Sequence, residues 1–390
     1  MATVKQVKQT ERRFDVISIS NLGIQSYGID NLYPQIIKKI VSASESASIC
    51  MDRYKTFIQG NGFKDVSFSE TVLNFLNETA DDILYLICSD IANFRGFALH
   101  INYNSFGQIS EIQHIPFENC RLCEQDSEGY VSKIAVHPDW TGRTKLGGKI
   151  ISVRKDYIDY IDIFNPFPEV IASQIQKAGG IENYKGQILW VSDEGKFIYP
   201  KPVHDAVVSQ MSTEEGLGNI ANRNTRNNFF PFGIFITKKG QSTSEKEDEN
   251  SQNPESISNS IAKLQGDEKA LKAINVEVEY DEEIPKFERI QGNNYDKDFT
   301  VTTETATSKI YSAFNQEIWY RILNGSVGFS SQMITDAFDY YSAVTNKERR
   351  MIERAFDKIF RHFYKQVNQS MDFTIQPLKY VSSTASNNAG

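Results

Sequence analysis

Between Gly233 and Leu264 the chain reads GIFITKKGQSTSEKEDENSQNPESISNSIAKL, and its character changes twice. The β-branched run Ile234-Phe235-Ile236-Thr237 gives way to charged, Ser/Asn-rich chain, and helical spacing returns from Ser256 to about Ala270. A second strand pattern follows, in which Ile274, Val276, Val278 and Tyr280 alternate with polar residues, the period of a strand with one buried face. Between Gln241 and Ser256, Glu245, Glu247, Asp248, Glu249 and Glu255 face a single cation, Lys246. Polar stretches this long are uncommon inside a compact domain, and those that occur are usually binding loops or linkers. The two strands therefore read as a small unit of their own, set between larger parts.

The 390 residues are enough for two or three cores. A hydrophobic content of 40% with 24% charged residues is that of a folded chain, and 12% aromatics favour large packed surfaces, either cores or subunit contacts. The formal charge of −8 removes the basic footprint of a tight nucleic-acid binder. The longest notable apolar run, Ile83 to Cys88, falls far short of the roughly 20 residues a membrane span needs. The opening MATVKQVKQTERRFD lacks the apolar centre of a signal peptide, and four cysteines do not make a disulfide framework. These features point to an intracellular, reducing origin and no membrane partner.

Periodicity divides the rest. Residues 1–26 read as a flexible arm. Tyr33 to Phe57 is helical with an interruption at Ser42 to Ser48, stopped by Gly60-Asn61-Gly62; further helices are predicted over Glu70–Asn77 and Ala80–Phe94. Strand patterns cover Ala98–Tyr103, Ile109–Ile115, Tyr130–Val136, Lys149–Val153, Tyr157–Ile163 and Ile188–Ser192. The first half is thus α+β, helices before an antiparallel sheet, with no βαβ alternation. His204–Asn222 reads as helix, and the last third as two long helices, Thr303–Leu323 and Ala337–Val367, joined by the Gly/Ser-rich NGSVGFSSQ. Arg349, Arg350, Arg354, Lys358 and Lys365 lie mostly off the apolar face of the second.

No catalytic set emerges. Cys120-Arg121-Leu122-Cys123 is a CxxC near His114 and His137, but a structural zinc site usually has two such pairs and only one is present. Gly216-Leu217-Gly218-Asn219-Ile220-Ala221 satisfies GxGxxG/A, yet helical chain precedes it where a dinucleotide site needs a strand. There is no P-loop, GxSxG elbow or HExxH helix. The acidic run Glu277, Glu279, Asp281, Glu282, Glu283, Glu288 reads as a solvated face. The expectation is a non-enzyme with no metal and no cofactor.

In order, these segments resemble the portal proteins of tailed bacteriophages. The likeness is carried by Tyr27-Gly28-Ile29-Asp30-Asn31-Leu32-Tyr33-Pro34 with Phe57-Ile58-Gln59-Gly60-Asn61-Gly62-Phe63, by His114-Ile115-Pro116-Phe117-Glu118 with Asp139-Trp140, by NRNTRNNFFPFGIF, and by SKIYSAFNQEIWYRIL before NGSVGFSSQ. It spans most of the chain and rests on segment order more than on diagnostic motifs. It implies an α+β wing (27–202), a first stem helix (203–228), a small α/β clip (229–297), a second stem helix (298–323), a tunnel loop (324–332), a C-terminal wing or crown helix (333–380) and a disordered tail (381–390). Portal likeness further implies a dodecameric ring at one capsid vertex in the virion, assembled in the host cytoplasm, that passes double-stranded DNA without reading its sequence.

The resemblance assigns Asn324, Gly325, Ser326, Val327, Gly328, Ser330, Ser331 and Gln332 to a loop facing DNA. Phe230, Phe232, Ile234, Phe235, Val276, Val278 and Tyr280 fall to clip docking and ring contacts, with Phe229–Phe235 and Phe314–Trp319 as aromatic segments between subunits. Implied partners are other copies of the chain, the terminase large subunit, which would hydrolyse ATP, a head–tail adaptor, and the major capsid and scaffold proteins. A loop of Gly, Ser, Asn and Gln suits this, since each phosphate neutralised by Lys or Arg would add to a brake on sliding. Two alternatives stay open on sequence: another virion or adaptor subunit, and an acidic-cleft enzyme.

Overall fold

The computed structural model describes residues 16–142, 145–146, 149–150, 153–226, 234–238, 274–278, 295–325, 330–367 and 371–380. The fold is α+β. A hairpin of β1 (Ser18–Ile19) and β2 (Ile24–Gln25) precedes helices α1 (Tyr33–Ala43), α2 (Glu45–Gln59), α3 (Val66–Ser69) and α4 (Ala80–Phe94). Strands β3 (Gly96–Tyr103), β4 (Ile109–Ile115), β5 (Cys120–Leu122), β6 (Lys133–Val136), β7 (Lys145–Leu146), β8 (Lys149–Ile150) and β9 (Asp159–Ile163) follow, then α5 (Pro168–Ala178) and β10 (Gln187–Ser192). The second half has α6 (Val208–Arg226), β11 (Ile234–Lys238), β12 (Ile274–Val278), α7 (Tyr295–Ala313), α8 (Glu317–Leu323), α9 (Ser331–Val344) and α10 (Asn346–Phe360).

One six-stranded sheet, in the order β4-β3-β10-β9-β6-β5, forms the floor of the first half. Successive residues Phe97, Ala98 and Leu99 of β3 are all buried, so both faces of the sheet centre are covered. The sheet is mixed, which corrects the antiparallel reading: β9 and β10 pair in parallel, with α5 as the crossover between them. A Pro at its first turn and Gly179 in the left-handed region beyond its last residue delimit α5, and only Ile171 of it is buried.

Other expectations change for local reasons. Residues 70–77 are not helical: the Asn74 side chain accepts from the amides of Leu76 and Glu78, and Asn77 takes φ 63°. Residues 16–26 are part of the body, because Ile24 is fully buried and pairs with Cys123. The helix at 303–323 breaks at Phe314–Gln316, and the one at 337–367 breaks at Thr345 and ends at Phe360. Ala80–Phe94 is helical as predicted, started by a capping box in which Thr79 and Asp82 satisfy each other's backbone amides.

Two buried cations hold loops to the core. Arg121 is fully buried; its Nε donates to Asn31 Oδ1 at 2.5 Å, Nη2 to Asn31 O at 2.7 Å, and Nη1 to the carbonyls of Glu118 and Cys120 at 2.9 and 2.8 Å. Tyr27 and Trp140 rings lie 5.7 and 4.9 Å from its guanidinium. Burial pulls its pKa down to about 10, which leaves it charged at neutral pH. The Tyr27–Pro34 segment and the CxxC thus meet at one cation, and the two cysteines are buried, free thiols. Arg349 of α10 is equally enclosed, donating to Phe57 O and Thr345 Oγ1 at 2.8 Å and to Ser342 O. That side chain of the basic helix therefore points inward.

The Gly60-Asn61-Gly62 turn is clamped by the chain's end. Asn61 N donates to Gln376 O at 2.8 Å, Gln376 N to Gly62 O at 2.9 Å and Lys64 N to Thr374 O at 2.9 Å. Gly60 has φ 59°, and a Cβ there would lie 2.0 Å from Gln376 O. Gly60→Ala is expected to cost more than about 3 kcal/mol in urea unfolding, since strain and a backbone collision add. Gly218→Ala, in helix α6 with open space around it, is expected to gain about 0.5–1 kcal/mol.

Candidate functional site: a helical hairpin with an exposed tip

The polar loop singled out in the sequence joins α8 to α9, and the base of this hairpin is fixed by Gln316. Gln316 is fully buried between α7 and α8. Its Nε2 donates to Cys50 O at 2.8 Å and to Tyr341 OH at 2.7 Å, and its Oε1 accepts from Arg53 Nη1 at 2.7 Å. Tyr341 OH donates in turn to Phe314 O at 3.0 Å. Asn315 sits at φ 55°, so the chain turns sharply there and the amide of Gln316 enters the core. Trp319 packs by its ring on Phe57 and Phe338, with Arg53 stacked 4.8 Å from it. Burial pushes the Cys50 thiol up to about 12 and raises the Tyr341 hydroxyl, so this network stays neutral apart from Arg53.

Away from that base, burial stops. No residue of α8 is buried, and Leu323 is 69% exposed. Gly325, at φ 70°, ends α8, and Ser330 caps α9 by accepting from Met333 N at 3.2 Å. Gln332 donates to Asp336 at 2.8 Å. Asn324, Gly325, Ser330 and Gln332 are all exposed, the first two at the end of α8 and the last two at the start of α9; the backbone of Ser331 begins α9, and Ser326, Val327 and Gly328 lie outside the described residues. The expectation that Phe314 lies between subunits is corrected: it is buried within the protomer, stacked on His204.

The second predicted surface is described only in its two strands. β11 and β12 pair in parallel, Ile234 with Ile274, Phe235 with Asn275, Ile236 with Val276 and Lys238 with Val278. A parallel pair requires a long crossover, which residues 239–273 supply. Phe230, Phe232 and Tyr280 lie outside the described residues. The GxGxxG-like match at Gly216–Ala221 lies within α6, whose helical backbone offers no phosphate-binding turn. Among the described residues no group of three or more His, Cys, Asp or Glu is placed to hold a metal ion, and no helix is long and apolar enough to cross a membrane.

Sequence reasoning missed what fixes the hairpin. Glu214 of α6 reaches the start of α2, accepting from Ser46 N at 3.2 Å, from Ser46 Oγ at 2.5 Å and from Ser44 Oγ. His204, just before α6, is fully buried, and neither ring nitrogen has a hydrogen-bond partner. Its ring lies 5.4 Å from that of Phe314 at an interplanar angle of 14°. Burial holds this imidazole down at about 4, with Asp205 pulling the other way.

No protein-family model matches the chain, and no curated protein matches it. Solved structures do share part of its path. The neck of an empty gene transfer agent particle computed with C6 symmetry gives a TM-score of 0.49 at 11% identity, covering 88% of this chain and 83% of that chain. The neck of the native particle computed with C12 symmetry gives 0.45 at 11% identity, covering 85% and 81%. The virion of the native particle gives 0.41 at 11% identity, covering 80% and 81%. Scores of this size describe a partial likeness of chain path and assign no role.

Two outcomes test the base of the hairpin. Gln316→Leu leaves Cys50 O, Tyr341 OH and Arg53 each short of a partner, and is expected to cost about 2–4 kcal/mol in urea unfolding. For His204 the folded pKa lies below the unfolded 6.5, so stability is complete above pH 6.5 and is lost as pH falls towards 4, where only the unfolded chain takes up the proton. The loss between pH 7.5 and 4.5 is expected to be about 2.5 kcal/mol from this group, and His204→Phe is expected to remove it.

Proposed function

We propose that this chain is a portal subunit: a dodecameric ring at one capsid vertex, channelling double-stranded DNA and docking a terminase on packaging and a head–tail adaptor afterwards. The observation that carries the reading is the way α6 and α7 leave the body. The two helices pack on each other, yet from Ser212 to Asn222 on α6 and from Thr300 to Thr305 on α7 no residue is buried. Burial resumes on α7 at Ala306, Ile310 and Tyr311, where the pair enters the core. Although Glu214 reaches α2 and α6 also packs on α1, no residue over this length is buried, and a ring of heterologous contacts would supply the missing cover.

In that reading the helix pair is the stem, residues 229–297 form the clip at its far end, and the Asn324–Gln332 tip meets DNA in the channel. The described tip residues carry no charge and are polar, so they touch a moving backbone without neutralising phosphate. The chain performs no chemistry; ATP hydrolysis belongs to the docked terminase. Major capsid and scaffold proteins surround the wing, in the virion and during assembly in the host cytoplasm.

Native mass determination and electron microscopy of the purified protein test this. The expected species is a ring of about twelve copies with a central hole that admits a duplex. A compact dimer without a hole at every concentration tried would overturn it.

A further inference from the structure

A cleft of about 520 Å³ lies between the sheet and the C-terminal end of α10, away from the hairpin tip. Its floor is apolar, with Ile163, Phe164, Pro166, Leu189 and Phe197, and Ser192 lies on its wall. Lys196, Lys358 and His362 stand on its rim and are exposed. The rim has one carboxylate, Asp357, and Arg361 already engages it with two contacts of 2.9 and 2.8 Å. In a chain of formal charge −8, this opening therefore presents two lysines beyond its one ion pair, over an apolar floor.

We propose that this cleft binds an acidic peptide segment with an apolar or aromatic anchor. The volume is that of a site for a few side chains, and the two lysines match carboxylates flanking the anchor. Base stacking by single-stranded nucleic acid would need free aromatic faces. Here the Trp190 ring is stacked on Phe117 at 4.3 Å and 27°, and Phe197 meets Tyr130 edge-on at 5.1 Å. These two rings are committed to neighbouring rings, Phe164 is partly buried against the core, and together they offer an apolar floor that an aliphatic or aromatic side chain fills by burial. The inference depends on the cleft alone and holds whether or not the chain closes into a ring.

The test uses the full chain and a fluorescein-labelled peptide with glutamates around a central tryptophan, read by anisotropy. A matched peptide with glutamine for glutamate and a single-stranded oligonucleotide of equal charge serve as comparators. The acidic peptide is expected to bind, with affinity falling about tenfold or more between low and moderate salt. The double variant Lys196→Glu/Lys358→Glu, both at exposed positions, is expected to weaken it by about tenfold or more. Ser192→Trp, which leaves every charge in place and fills the cleft, is expected to weaken it similarly. Circular dichroism melts confirm that each variant is folded. Absence of binding, equal binding of the glutamine peptide, unchanged affinity in the folded double variant, or equal competition by the oligonucleotide would each overturn the proposal.

Discussion

A helix cannot use the amides of its first turn or the carbonyls of its last, and helix α2 shows how much of this structure follows from that fact. At its start, Ser44 caps Ala47 N and Glu214 accepts from Ser46, so the free amides meet a carboxylate brought by α6. At its end, Phe57 O receives Arg349 Nη1 and Thr345 Oγ1, both delivered by the join of α9 and α10. Beyond it, Gly60-Asn61-Gly62 receives the backbone of Gln376. Apart from Ser44, every one of these partners lies far along the chain. The first half thus has unsatisfied polar groups at the ends of its central helix until the second half arrives, and leaving such groups buried and unpaired costs about 1–3 kcal/mol each.

This dependence gives the hairpin its character. Gln316 bonds to Cys50 O and is held by Arg53, so the corner between α7 and α8 is fastened to the same α2 that anchors the C-terminal helices. A fixed corner and an uncovered tip are produced together, because α8 has only two turns and buries none of its residues. Rigidity at the base with exposure at the end is what a loop needs if it is to be aimed at something passing by. The same division recurs in α6 and α7, whose inner turns carry Met211, Ile310 and Tyr311 into the core, while no residue from Ser212 to Asn222 or from Thr300 to Thr305 is buried.

Where the signal was local, it was legible in the sequence. The Thr79–Asp82 box and unbroken apolar spacing give Ala80–Phe94 its two ends, and Gly107 before β4 and Pro116 after it bound that strand. Gly325 and Ser330 mark the tip by ordinary cap chemistry. What escaped was set by distant partners. Ile310, Phe314, Ile318 and Ile322 keep a spacing of four straight through Asn315, so periodicity runs across a break made by the burial of Gln316. In the same way Arg349 reads as lying off the apolar face of a long basic helix, although it donates to Phe57 O, as Thr345 does. The parallel pairing of β9 with β10 was hidden because α5 buries one residue only and shows little of a core helix's apolar stripe.

The buried arginines bear on charge as well as on folding. Arg121 and Arg349 bond only to neutral acceptors in their hydrogen-bond sets, carbonyls, an amide oxygen and a hydroxyl. Arg95 and Lys347 both close on Asp193, each at 2.5 Å, so one carboxylate takes two cations. Two positive charges are thus withdrawn from solvent, and the carboxylates of Asp90 and Glu348 are buried as well. Among the described residues these buried charges balance, so the surface keeps the sign of the chain's formal −8. A surface of that sign repels phosphate on average and holds it only where lysines are left without an acidic partner. If the chain lines a DNA channel, as proposed above, this is the useful sign, because resistance to sliding would rise with every phosphate neutralised along the path.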